Sequence, residues 1–180
     1  MKKTEIKVAL KGIRPIMFDR FISMDSKVQH APVEKLYIKD GSIIIPSLNI
    51  MSFLSGTNTE SAPKRMLDSR KYKAIAAAAM SFVQIKQEHI FLTREGKKIK
   101  ENDFIVQKHV ARLAKGVPNP KERPVIVLPW EISFDIIHFE NNELDVNLLY
   151  KLFDFGGLSV GLGTYRGVYG KFIVDKWATR

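Results

Sequence analysis

The chain has 180 residues, 45% of them apolar, and no cysteine; that is enough to build a packed core, and it excludes disulfides and thiolate metal sites. A formal net charge of +10 points to a polyanionic partner, of which nucleic acid is the commonest. No uncharged apolar run approaches the roughly 18 residues of a membrane span, and Lys2-Lys3-Thr4-Glu5 is followed by only a short β-like run, so neither a membrane partner nor a secretory leader is expected, and the location expected is cytoplasmic.

Glu5 to Lys11 alternates apolar Ile6, Val8 and Leu10 with polar residues, the period of a half-buried strand. Gly12 and Arg14-Pro15 break it, and residues 16–35 read as mixed turn and loop. Leu36–Ile38 and Ser42–Ile45 flank Asp40-Gly41, a hairpin turn because Asp-Gly readily takes positive φ. Pro46-Ser47 opens a helix carrying Leu48, Ile50, Met51 and Leu54, with Gly56 as its stop. Thr57–Pro63 is a polar loop. A basic stretch from Lys64 leads into Ala76–Ala79, which favours helix, while Phe82–Ile85 could equally begin a strand. Thr93–Lys98 resembles a turn between two short strands, and Phe104–Leu113 alternates in part. Gly116–Pro124, rich in proline and glycine, reads as an irregular connection. Strand resumes over Val125–Leu128 and, after Pro129, over Trp130–Ile136, with Glu131–Glu140 as the strand before the next helix. Asp145–Phe155 is that helix, with Leu144, Leu148, Leu149, Leu152 and Phe153 on one face. Six of the eleven glycines then lie from Gly156 to Gly170, ahead of an apolar run from Lys171 to Trp177.

The charge is uneven. Residues 57–123 hold fifteen Lys/Arg against seven Asp/Glu, giving +8, whereas residues 124–180 hold five against seven, giving −2. The order of elements suits an α+β domain with a helix-backed antiparallel sheet, of which the ferredoxin-like fold is the commonest version. The expectation is one domain over residues 1–180, with 57–123 a basic insertion whose Lys64, Arg65, Arg70, Lys71 and Lys73 would contact phosphates.

Three patterns occur in a suggestive order: the opening strand ending in Leu10-Lys11-Gly12-Ile13; Asp40 to Ile50, a strand passing through Ile45-Pro46-Ser47 into a helix; and Gly161 to Phe172, glycines and a basic residue before a closing strand. Together they resemble the RAMP superfamily of CRISPR effector and processing proteins, most closely its backbone subunits. The resemblance covers roughly residues 5–56 and 131–177. It implies a ferredoxin-like or RRM-like fold, RNA binding, a glycine-rich loop near the C-terminal end and a thumb-like middle. The chain departs from the family pattern in having Ser47-Leu48-Asn49-Ile50, with no lysine, after Ile-Pro. Family members that cut target RNA use an aspartate in the loop after the first strand. Asp25 lies in that loop here, without a flanking motif.

The glycine loop has two readings. Backbone N–H groups of Gly161, Gly163, Gly167 and Gly170 would form an anion-binding concavity, with Arg166 and Lys171 adding charge and Tyr165 and Tyr169 stacking on unpaired bases. Otherwise it is a tight crossover whose tyrosines pack on the core. His30 and Asp25 are the catalytic candidates, and Asp19 and Asp25 are either cation ligands or turn formers. His30, His89, His109 and His138 share no zinc-ligand spacing. The function expected is therefore single-stranded RNA binding within a ribonucleoprotein, with no metal or cofactor. The expected partners are RNA, single-stranded DNA as a second ligand, and other subunits or copies of the chain. The alternatives are a metal-independent endoribonuclease and a protein-interaction or virion component with a basic surface.

Overall fold

A computed structural model describes residues 2–23, 30–55, 70–112, 116 and 118–180. The strands are β1 (Lys3–Gly12), β2 (Ile16–Met17), β3 (Ile38–Lys39), β4 (Ser42–Pro46), β5 (Val83–Ile85) and β6 (His89–Phe91). They continue as β7 (Thr93–Arg94), β8 (Lys97–Lys98), β9 (Ile105–Arg112), β10 (Pro118–Ile126), β11 (Glu131–Phe139) and β12 (Phe172–Thr179). The helices are α1 (Ser47–Ser55), α2 (Tyr72–Phe82) and α3 (Val146–Ser159), and Pro32–Lys35 forms a single 3-10 turn.

Strict alternation builds the central sheet. Ile6, Val8 and Leu10 of β1 are buried, as are Ile132, Phe134, Ile136 and His138 of β11. The register pairs Ile6 with Ile136, Val8 with Phe134 and Leu10 with Ile132, so both apolar sets share one face. β12 pairs with the other edge of β1, and β5 with the far side of β11. The order β12-β1-β11-β5 is antiparallel throughout. β1 reaches β5 through α1 and α2, and β11 reaches β12 through α3. Two interlocked split βαβ units result, the ferredoxin-like α+β arrangement expected from the sequence.

The helices cover the apolar face. α1 buries Ile50, Phe53 and Leu54, α2 buries Ile75, Ala78 and Ala79, and α3 buries Leu149, Leu152 and Phe153. The Phe53 ring lies 5.7 Å from both Phe153 and Phe172, joining α1, α3 and β12. Each fully buried phenylalanine of this kind contributes roughly 1.5–3 kcal/mol. α3 starts where Asp145 Oδ1 accepts the Leu148 amide at 2.7 Å.

Three expectations change. α3 continues through Gly156 and Gly157 rather than stopping at Phe155. A Cβ on Gly157 would lie 2.5 Å from the Phe172 carbonyl oxygen, so the glycine admits the returning strand while the helix is kept. Residues 72–99 do not form an insertion apart from the fold. Ile75, Val83, Ile90, Leu92 and Ile99 belong to the main core, and β5 and β6 pair with β11 and β4.

The third change is that Gly116–Pro124 is not an irregular connection: Pro118–Ile126 is strand, paired with β9 from Pro118↔Arg112 to Val125↔Ile105. Pro118, Pro120 and Pro124 share one parity, so their missing N–H groups fall on one edge. That edge faces away from β9. Pro124 O accepts the Phe18 amide at 3.1 Å, and Glu122 O accepts Lys35 Nζ at 2.6 Å. The hairpin β9–β10 is the part of the expected thumb that stands outside the central sheet.

Candidate nucleic-acid interface

The loop from Val160 to Lys171 is closed on itself and on the segment joining β1 to β2. Gly170 N donates to Pro15 O (2.7 Å), Thr164 N to Met17 O (2.8 Å) and Ile13 N to Lys171 O (2.8 Å). Inside the loop, Leu162 N donates to Gly170 O (3.0 Å) and Gly167 N to Val160 O (2.7 Å). Three glycines are sterically required, Gly161 among them, where an added Cβ would lie 2.7 Å from the Gly170 carbonyl. Gly163 has φ +80° and Gly170 φ +70°, and an added Cβ would strike the Met17 carbonyl oxygen and the Leu162 carbonyl oxygen respectively. With Gly161 N bonded to Gly156 O (2.9 Å), three of the four glycine amides assigned to a phosphate concavity are engaged inside the protein. The glycines shape the loop, and what it presents to a ligand is side chains.

Those side chains meet the β9–β10 hairpin. Tyr165, at φ 55°, stacks on His109 with ring centroids 5.7 Å apart and planes at 29°. Tyr169 meets the same imidazole edge-on at 6.2 Å, and its hydroxyl donates to Gln107 Oε1. Neither tyrosine packs into the main core; both fasten the hairpin to the loop. His109 and Gln107 were not legible as site residues, because their partners lie more than fifty positions along the chain.

A cleft of about 210 Å³ opens between the loop, the Phe18–Arg20 segment, Tyr37 and the polar side of α1. Asn49 and Ser52, three residues apart on α1, line one wall; Thr164 and Arg166 line another. Arg20 places its guanidinium 5.8 Å from the Tyr37 ring centroid. Among the described residues neither Arg20 nor Arg166 has an ion-pair partner.

Asp19 also lines the cleft, and there this one carboxylate meets three cations. Asp19 Oδ2 accepts Arg123 Nε at 2.8 Å, with Lys121 Nζ at 3.7 Å and Lys35 Nζ 3.9 Å from Oδ1. Asp19 is therefore held as a counter-ion to positive side chains. This corrects its reading as a cation ligand, since a metal would be repelled by the same three groups. Among the described residues no group of three His, Asp or Glu is placed to hold a metal ion.

The remaining candidates divide. Lys64, Arg65 and Asp25 lie outside the described residues. Arg70, Lys71 and Lys73 are exposed at the start of α2, and they line neither the cleft nor the aromatic cluster. Lys171 ties the loop to the segment after β1, its carbonyl accepting the Ile13 and Arg14 amides. His30 is half-buried beside Glu34, with Nδ1 3.8 Å from Oε2, and it too lies off the cleft. The uncovered face of the central sheet is a mosaic of opposite charges. Lys7 lies opposite Asp135 and Lys11 opposite Glu131, and Lys3 and Lys86 both bond Glu5, at 2.8 and 2.7 Å. Of the described arginines without an ion pair, Arg20 and Arg166 line the cleft, whereas Arg14 and Arg180 stand exposed just beyond β1 and β12.

A ferredoxin-like domain with a closed glycine loop, a docked hairpin and an arginine-lipped cleft is the class that the geometry defines. The sequence matches no protein-family model and no curated protein. Among solved structures, the chain is similar in fold to one in the cryo-EM structure of the Type III-B Cmr-beta bound to cognate target RNA. The TM-score is 0.57 at 14% identity over 99% of this chain. This chain spans 61% of that chain's length. No helix among the described residues is long and apolar enough to cross a membrane.

Proposed function

We propose that the chain is a RAMP-like RNA-binding subunit that holds single-stranded RNA by its backbone and assembles with other subunits in a CRISPR effector-like ribonucleoprotein. The observation that carries this reading is the pair of arginines without carboxylate partners, Arg20 and Arg166, that line one cleft where loop and α1 meet. Unpaired guanidiniums on a concave surface suit phosphate oxygens, which they contact bidentately. The RNA-bound complex containing the fold neighbour supports the same partner class. The proposed role is binding rather than cleavage, since His30 lies away from the cleft.

The test is fluorescence anisotropy with a single-stranded RNA on protein freed of nucleic acid by high-salt washing. Affinity should fall steeply with salt, and Arg166→Ala should lower it by roughly tenfold to a hundredfold with little change in stability. Each phosphate contact removed should flatten the salt slope by about 0.7. No detectable binding at low salt, or an Arg166→Ala variant that binds like the parent, would overturn the proposal.

A further inference from the structure

We infer that the cleft is a single-nucleotide subsite that selects ribose over deoxyribose, an inference that rests on the RNA-binding reading and names what its central pocket holds. Its walls differ in kind. One is aromatic and cationic: Tyr37, half-buried, is backed edge-on by Phe18 at 6.4 Å and 74° and flanked by the Arg20 guanidinium. The opposite walls are neutral and polar, with the Asn49 amide, the Ser52 hydroxyl and the Thr164 hydroxyl. Buried Leu162 also lines the pocket. A base has a π-face that stacks on tyrosine or a guanidinium plane. A ribose has a 2′-hydroxyl that donates and accepts, as an amide and two hydroxyls require. Asp19, its charge engaged by Arg123, also lines the pocket, and Arg166 supplies the cation for the nucleotide's phosphate.

A purely electrostatic groove would show a different lining. Phosphate contacts need only cations, and they treat RNA and DNA alike. Here three neutral hydrogen-bonding side chains converge on about 210 Å³, room for one nucleotide unit rather than for a duplex. Among the described residues none of the three has a side-chain hydrogen bond inside the protein, so all remain available to a ligand.

The experiment compares a uridine-rich single-stranded RNA with the deoxyuridine strand of the same sequence, on the parent, on Asn49→Ala/Ser52→Ala and on Arg166→Ala. The parent should prefer RNA by about tenfold, the worth of one or two neutral hydrogen bonds. The Asn49/Ser52 variant should lose RNA affinity and keep DNA affinity, bringing the ratio near one, while Arg166→Ala should weaken both strands and keep the ratio. Both substituted side chains in the first variant are on the polar side of α1, so folding should survive; Thr164→Val supplies a second test on the opposite wall. A parent that binds RNA and DNA equally, or a ratio that Asn49→Ala/Ser52→Ala leaves intact, overturns the subsite while RNA binding stands. Failure to bind either strand overturns both readings. Competition by free uridine monophosphate as effective as that by the RNA would overturn the assignment to a strand.

Discussion

Asp19→Ala is the perturbation with the clearest arithmetic. Asp19 and Arg123 are 17% and 9% exposed at the side chain and bond at 2.8 Å. Removing one partner of a buried pair costs about 3–5 kcal/mol, because the other charge stays behind without compensation. The residual exposure of Asp19 puts this case just below that range, at about 2–3 kcal/mol. Lys35 and Lys121, at 3.9 and 3.7 Å, add little to stability at those distances. In a domain of this size that loss lowers the melting temperature by roughly 4–12 °C. Asp19→Asn keeps an acceptor for Arg123 Nε and should cost less. Thermal and urea denaturation measure the loss, and anisotropy with single-stranded RNA should show affinity held or raised, because two lysines lose their carboxylate. An Asp19→Ala variant within about 0.5 kcal/mol of the parent would refute the argument that this carboxylate neutralises a buried guanidinium.

Gly167 and Gly170 both have positive φ, but an added Cβ at Gly167 meets nothing within 4 Å whereas at Gly170 it strikes the Leu162 carbonyl oxygen. Gly167→Ala should therefore cost about 1–2 kcal/mol from backbone conformation alone, and Gly170→Ala clearly more, as denaturation midpoints would report. Tyr165→Ala removes the stack on His109, worth about 0.5–1.5 kcal/mol, and hydrogen exchange in β9 should quicken relative to that in β11. Glu5 is held near 2, from its ordinary 4.5, by hydrogen bonds from Lys3 and then Lys86 and by their charges. A depressed carboxylate stabilises above its unfolded pKa and loses that effect as pH falls from about 4.5 to about 2. Glu5→Gln should remove this acid dependence, as salt does, in melts taken across that window.

Local chemistry was legible where the neighbours that decide a conformation are close in sequence. The alternation of Ile6, Val8 and Leu10 gave β1 and its inward face, and Asp40-Gly41 gave the β3–β4 turn through its positive φ values of 51° and 66°. Pro46-Ser47 marked the entry to α1, and the apolar spacing from Leu144 marked α3, whose cap is Asp145. What escaped depends on distant partners. Pro118, Pro120 and Pro124 look like strand breakers until β9 lies on one side and the edge that lacks N–H groups on the other. Gly156-Gly157 reads as loop until Phe172 returns against it. Asp19 resembles a turn aspartate, because its cations come from the 3-10 turn and from β10. Asn49 and Ser52 did leave a signal, a polar stripe at i and i+3 beside Ile50, Phe53 and Leu54.

The closed loop fixes how binding work divides among the residues. A loop whose amides hung free would bind any phosphate with its backbone, and substitution of side chains would barely alter it. Here the amides of Gly161, Gly167 and Gly170 hold the loop against itself and against Pro15. The loop is thereby set before any ligand arrives, and little ordering cost falls on binding. On the proposed reading, charge and selectivity then come from separate side chains: Arg20 and Arg166 for phosphate, Asn49, Ser52 and Thr164 for the neutral groups of the nucleotide. On the same reading, the excess of lysine and arginine over residues 57–123 acts over a longer range, drawing a polyanion toward the protein. The loop is thus a scaffold whose Gly161, Gly163 and Gly170 cannot carry a side chain without striking backbone, and whose amides at Gly161, Gly167 and Gly170 are engaged inside the protein.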